Sequence, residues 1–214
     1  MSTIKSKHFS ILFKTLTILA TIALVLTSLS MLPIIIAIIA LLIIPSSFIN
    51  SQLDKANKPF WVDSLGLNSH EITKHDLNSI TFPKPSVILM LLLIIVLIAI
   101  YILVITYVRK WLKNVSRGQI FTDKNANIII LISYCFIVLG VFEAFIELAS
   151  NFMVYNFLGQ NAKLYALIDK DIETFADFFF NFNFTLILAG IVIWIIGNVF
   201  KYGAFLQDEF DYTV

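Results

Sequence analysis

The chain has 214 residues, of which 59% are hydrophobic and only 14% charged, and its mean hydropathy is +0.90. A soluble domain is about half apolar and about a quarter charged, so composition excludes an ordinary soluble globule and points to an integral membrane protein. The formal net charge of +1 carries no nucleic-acid signal, and no direct nucleic-acid binding is expected.

No charged residue lies between Lys14 and Asp54. The helix Thr15 to Ile44 would be about 45 Å long at 1.5 Å per residue, more than one simple crossing of a core about 30 Å thick. Pro33 interrupts this run and Pro45 ends it. It is either one span over about 12–44, kinked at Pro33, or a helical hairpin turning near "SLSMLP". The run is far longer than the apolar part of a secretory signal, so it is read as an uncleaved first span.

Three more apolar runs follow, giving spans over about 86–108, 126–150 and 178–200, of which only 126–150 carries charge, at Glu143 and Glu147. Lysine and arginine mark the cytoplasmic side of a span. Lys5, Lys7 and Lys14 precede the first span, and Arg109, Lys110, Lys113, Arg117 and Lys124 follow the second. Four spans place both basic segments on one side, whereas five would separate them. The expected fold is therefore an all-α, integral membrane bundle of four transmembrane helices, in a single domain over 1–214. Both termini are expected in the cytoplasm. The inner loop is 109–125 and the outer loops are 45–85 and 151–177. In the second outer loop, Leu164, Leu167, Ile168, Ile172, Phe175 and Phe179 recur at helical spacing and predict a short amphipathic helix. In the first, Phe60 and Trp61 suit the membrane interface.

The inner loop has clear turn chemistry. Gly118 can close the second span. Thr122 is a candidate N-cap for the third, with Asp123 in its first turn and Phe121 before the cap as a candidate staple.

Two stretches resemble a known family. "RGQIFTDKNANIIILISYCFIVLG" resembles its pattern of Gly, Phe, Asn and a new span, and "VFKYGAFLQDEFDYTV" resembles its C-terminal ending. The family is a group of uncharacterised bacterial four-span membrane proteins, domain of unknown function 2975, and the resemblance covers about residues 85–214. It implies a bacterial inner-membrane protein, commonly encoded beside a small helix-turn-helix regulator. It implies no activity, cofactor or catalytic residue.

"LGVFEAFIELAS" sets the sharpest question, because Glu143 and Glu147 end an otherwise apolar span. From Ala126 they lie about 25 Å and about 31 Å along a helix, near the exit from the core, where a charge costs least. They are about 40° apart on the helix. Ser133, Ile137, Gly140, Ala144, Glu147 and Asn151 make one stripe of mostly small and polar residues, with Glu143 on its shoulder and Ile129 off it. Membrane helices approach each other along such stripes. Asn183, Ile187, Gly190, Trp194 and Gly197 form a matching stripe on the fourth span. A polar intramembrane site of Glu143, Glu147, Asn151, Asn181 and Asn183 is expected, in which a shared proton or a bound cation would relieve the repulsion of the pair. The bland alternative is a helix end with acids reaching into the headgroups.

"SHEITKHD" resembles the zinc motif H-E-x-x-H but holds one residue too many. His70 and His75 are five apart, about 140° round a helix, where a shared zinc needs about 40°. No metal, no cofactor and no enzymatic activity are expected. Three functional readings remain. One is a regulatory or sensory partner of a cytoplasmic helix-turn-helix regulator, acting through Arg109, Lys110, Lys113 and Arg117 and through the acidic tail with Asp208, Glu209 and Asp211. Another is a proton- or cation-coupled transporter or channel subunit using Glu143 and Glu147. The third is an immunity-type protective protein using the outer loops. Besides the lipid bilayer, a homo-oligomer is a candidate partner.

The threading has a direct test. In a background lacking Cys135, single cysteines at Ser6, Ser116 and Thr213 should resist an impermeant thiol reagent in intact cells, while those at Ser69 and Gln160 should react. Labelling at Ser116 without labelling at Ser69 would invert the orientation.

Overall fold

The computed structural model describes residues 2–55, 81–158, 160 and 182–213. Among these the protein is all-α, with no strand. The helices are α1 (Ser2–Leu29), α2 (Met31–Ile43), α3 (Ser46–Lys55), α4 (Lys84–Ser116), α5 (Asp123–Leu158) and α6 (Phe184–Thr213). Four helical runs are long and apolar enough to cross a membrane: Ile11–Ile43, Lys84–Ser116, Asp123–Phe157 and Phe184–Glu209. Far more apolar surface is left outside than in a soluble protein. Asn125 and Ser133 are 0% exposed, while Ile36, Ile43, Leu188 and Val199 are all over 60% exposed. An apolar surface of this extent needs lipid around it. The chain is a multi-pass membrane protein.

The first run is one span. A single turn residue, Ser30, separates α1 from α2, and its N–H still bonds to the Leu26 carbonyl at 3.0 Å. The break falls three residues before Pro33, because proline has no N–H for the carbonyl four residues earlier, that of Leu29. One residue leaves no room for the turn of a hairpin. After Pro45 the chain enters α3 rather than a loop.

The helices outrun the apolar segments. α4 continues through Ser116, carrying Arg109, Lys110 and Lys113 within it. α5 has 36 residues, about 54 Å of helix. Glu147 is therefore well inside a helix, not at its end. Charge marks where lipid stops, but backbone hydrogen bonding continues in water. α6 begins at Phe184 rather than 178 and keeps the acidic tail helical. The predicted amphipathic helix over 164–179, Phe60, Trp61, "SHEITKHD" and Asn181 lie outside the described residues.

The chain forms two compact units, 1–32 with 96–143 and 182–214, and 33–95 with 144–181. In the second unit, hydrogen bonds link the ends of α2, α4 and α5 and tie Phe82 to α3. The Lys84 ammonium donates to the Ile44 carbonyl at 2.9 Å, a cation on carbonyls at the end of α2. Asn156 Nδ2 donates to the buried Ser86 hydroxyl at 2.9 Å, and the Phe82 N–H to Asn50 Oδ1 at 2.9 Å.

The first unit is organised by the seam between α5 and α6. Each seam glycine faces a β-branched isoleucine on the other helix. A Cβ on Gly140 would stand 2.7 Å from Ile187 Cγ1, one on Gly190 2.6 Å from Ile137 Cγ1, and one on Gly197 2.7 Å from Ile130 Cγ1. Positions rise on α5 as they fall on α6, so the helices run antiparallel in a fixed register. Backbone is also close: a Cβ on Gly140 would lie 2.8 Å from the Asn183 carbonyl oxygen, and one on Gly190 2.9 Å from that of Ser133. Ser133, Ile137, Gly140, Asn183, Ile187, Gly190 and Gly197 thus occupy the seam. Trp194 is 43% exposed and Ile129 only 6%, the reverse of their assignments by spacing. Toward the Thr122 end the α5 contact line passes through Ile130, and Ile129 Cγ2 also reaches Gly197, at 3.3 Å from its Cβ position.

Bulk in this seam has nowhere to go. Gly140→Ala and Gly190→Ala should each lower stability in detergent by about 1–3 kcal/mol. Val138→Ala, at a position 48% exposed, should change little. Thermal unfolding in a mild detergent reads the difference; equal effects at all three positions would remove the seam.

Candidate functional site

Two polar constructions stand out in the first unit, one at each end of the α5–α6 seam. The first contains Glu143. Asn183 is the N-cap of α6: its Oδ1 accepts from the Leu186 N–H at 3.1 Å, and its carbonyl accepts from the Ile187 N–H at 3.1 Å. Its own N–H crosses to α5 and donates to the Gly140 carbonyl at 3.0 Å. Its Nδ2 donates to Glu143 Oε2 at 2.7 Å. Only a residue without Cβ at 140 lets the two backbones come this close. The carboxylate also sits by the start of α6, where the helix dipole favours negative charge.

Glu143 is half-buried, whereas Glu147, one turn further along α5, is exposed. Asn151, another turn on, is half-buried. Neither Glu147 nor Asn151 has a side-chain hydrogen bond among the described residues. Of the five expected members, Glu143 and Asn183 are in direct contact. Of the stripe's members beyond Gly140, Ala144 is buried at 1% exposure, whereas Glu147 is exposed. Among the described residues there is no group of three or more acids, histidines or cysteines able to hold a metal.

The second construction is the turn between α4 and α5. Gly118 has φ +84°, the left-handed conformation that closes a helix. The Gly118 N–H donates to the Val115 carbonyl at 3.0 Å and the Gln119 N–H to that of Asn114 at 3.2 Å, the paired bonds of a Schellman cap. Thr122 caps α5, its Oγ1 accepting from the Asn125 N–H at 3.3 Å. Asn125 holds the turn together. Its Nδ2 donates to the carbonyls of Gln119 and Ile120, and its Oδ1 accepts from Asn114 Nδ2 at 2.7 Å. Phe121, the candidate staple, reaches the last long helix. It packs on Phe200 of α6 with ring centroids 5.1 Å apart, beside Gly203, whose Cβ position is 3.1 Å from the Phe121 ring.

These are the residues of "RGQIFTDKNA", and they turn a sequence pattern into a mechanical one. Gly118 ends a helix, Phe121 locks onto α6, and Asn125 satisfies the turn. A family model described as "Protein of unknown function (DUF2975)" matches residues 12–214. The chain belongs to that family. The match takes in the first span and residues 54–84, beyond the 85–214 suggested by the two motifs. No curated protein and no solved structure matches this DUF2975 chain.

In this DUF2975 protein the braced turn fixes a basic surface. Arg109, Lys113 and Arg117 follow one another at four-residue spacing along the end of α4 and just past it, and Lys110 stands over the Tyr107 ring at 5.5 Å. Asp208 and Glu209 are exposed on α6. Asp211 is also on α6, but its side chain is outside those described. Asn125 as a brace, Asn183 as a cap and Lys14 as a wall of a cavity had no separate signal in the sequence. A rule for asparagine three residues after a threonine N-cap would have found the first.

Asn125 gives a sharp test. Asn125→Ala leaves two carbonyls and the Asn114 amide without their partner, a cost on the order of 3 kcal/mol. Asn127→Ala, at an exposed site two residues on, should cost little. Thermal unfolding in detergent compares them; equal stability would show that Asn125 does not hold the turn.

Proposed function

We propose that this protein is a non-enzymatic regulatory or sensory protein of the bacterial cytoplasmic membrane, with both termini in the cytoplasm, whose output is a cytoplasmic helix-turn-helix regulator. The observation that carries this reading is the rigid basic display on α4. The helix runs two turns beyond its apolar segment, and the Gly118 cap and the Asn125 brace stop it at a fixed point. Arg109, Lys110, Lys113 and Arg117 are thereby held in place rather than spread along a loop. The excess of lysine and arginine at this end supports a cytoplasmic orientation. The exposed acids of α6 offer a second, oppositely charged contact for a partner with a basic face.

The transporter reading has less support. Glu143 accepts a hydrogen bond from the cap of α6, which gives it a packing role, and Glu147 is exposed. The protective reading depends mostly on outer-loop residues outside those described.

A photo-reactive residue in place of Lys110 or Asp208, activated in the living bacterium, tests the proposal. A cross-linked helix-turn-helix protein is expected, and it should disappear when Arg109, Lys113 and Arg117 are all changed to Glu. Capture of no such protein at either position would end this reading.

A further inference from the structure

We propose that the cleft between α1 and α4 at their basic ends binds a phosphate group, with the headgroup of an anionic phospholipid as its source. The cleft is a cavity of about 450 Å³ whose walls include Lys14, Arg109, Lys113 and Arg117. That volume falls within the range of about 300–1,000 Å³ usual for small-ligand sites.

The charges converge from two helices. Steps of four residues advance about 40° round a helix, so Arg109 and Lys113 share one face of α4, and Arg117 follows at its capped end. Lys14 comes from α1, which is held against α4 at this level by an edge-to-face contact of Phe13 with Trp111, ring centroids 6.2 Å apart. No carboxylate lines the cleft, and none of the four cations pairs with a carboxylate among the described residues. Four like charges round one cavity repel one another, and an oxyanion lying between them converts that repulsion into attraction. Guanidinium groups take phosphate oxygens two at a time, and ammonium groups act as point charges. The two hydroxyls in the wall already donate elsewhere, Thr17 to the Phe13 carbonyl at 2.7 Å and Ser116 to the Lys113 carbonyl at 2.8 Å. The cations are left as the donors.

The position of the cleft names the source of the phosphate. Lys14 is the last charge before the first apolar run, and Arg109 is the first after the second. The cleft therefore lies at headgroup level. Its wall also contains Ile18, one turn deeper into the apolar run than Lys14 and 61% exposed. An acyl chain can lie along that surface while its phosphate meets the cations. A free phosphate has no use for Ile18. Arg109, Lys113 and Arg117 belong to both surfaces, but this inference does not rest on the regulator proposed above, because the cleft is argued from its charge, Lys14 and Ile18 alone.

The test uses the purified full-length chain in a neutral detergent. Phosphatidylglycerol, phosphatidylcholine or inorganic phosphate is added, and binding is read by native mass spectrometry and by the unfolding temperature. Phosphatidylglycerol should give a saturable adduct and a higher unfolding temperature, with phosphatidylcholine giving neither. At about one favourable contact per cation, Lys14→Gln should weaken binding roughly fivefold, Lys14→Gln with Lys113→Gln roughly thirtyfold, and Lys110→Gln less than about twofold. Lys14→Arg, which keeps the charge, should still bind. Inorganic phosphate that competes with phosphatidylglycerol and gives the same rise would support the phosphate site and overturn the lipid source. Equal binding of the two lipids would overturn the proposal. So would unchanged phosphatidylglycerol affinity in a double variant whose lipid-free unfolding temperature matches the parent. No regulator is in the assay, so these outcomes and those of the cross-linking experiment are independent.

Discussion

Between α5 and α6, the backbone of each helix meets the isoleucine side chains of the other at Gly140, Gly190 and Gly197, with no β-carbon between them. Inside a bilayer the hydrophobic effect does not push helices together, since lipid tails are as apolar as leucine. What remains is dispersion at short range and polar contacts that a short distance permits. Three glycines supply that distance, and much of the first unit follows from it. The Asn183 N–H can reach the Gly140 carbonyl, Asn183 can start α6 beside Glu143, and Phe121 can reach Phe200 and Gly203 at the other end. A chain with ordinary side chains in the seam would hold the helices further apart, and those polar bonds could not form.

Sequence conveyed much of this and missed some of it for definable reasons. Long uncharged runs announce spans because a charge in lipid is expensive, and four spans are present. A stripe of mostly small and polar residues at three- and four-residue spacing announces a contact face, and Gly140, Gly190 and Gly197 lie on it. The ends of helices were less legible. The charges that end an apolar run mark the edge of lipid, yet α4 and α5 continue past them because water does not end a helix. The fine rotation of a stripe was also hidden. A 3.6-residue repeat drifts from a fixed spacing, and Ile129, counted off the stripe, is buried, while Glu147, counted on it, is exposed.

The two glutamates show how burial divides a pair that looks equivalent in sequence. Four residues apart on one helix, they differ in what stands opposite. Glu143 meets the amide of a helix cap at 2.7 Å, while Glu147 is exposed. The sequence placed both near a boundary by counting rise per residue. It carried no information on which would find a donor, because the donor is 40 residues away and its placement depends on the glycine seam. The Asn125 brace is similar in kind: Asn114 is 11 residues earlier, and the contact exists only once the Gly118 turn has folded back.

That long separation between Glu143 and Asn183 also sets an order of events during synthesis. The first span has no buried residue in its apolar stretch and needs no later helix to satisfy it, so it can enter lipid as soon as it emerges. α5 cannot complete itself in the same way. Its carboxylate enters the membrane while the amide that will receive it is still being translated. Until α6 arrives, Glu143 must be solvated by water or headgroups near the boundary, which its position on α5 allows and a mid-span position would not. The glutamate thus stays within reach of water for as long as the ribosome takes to supply its partner.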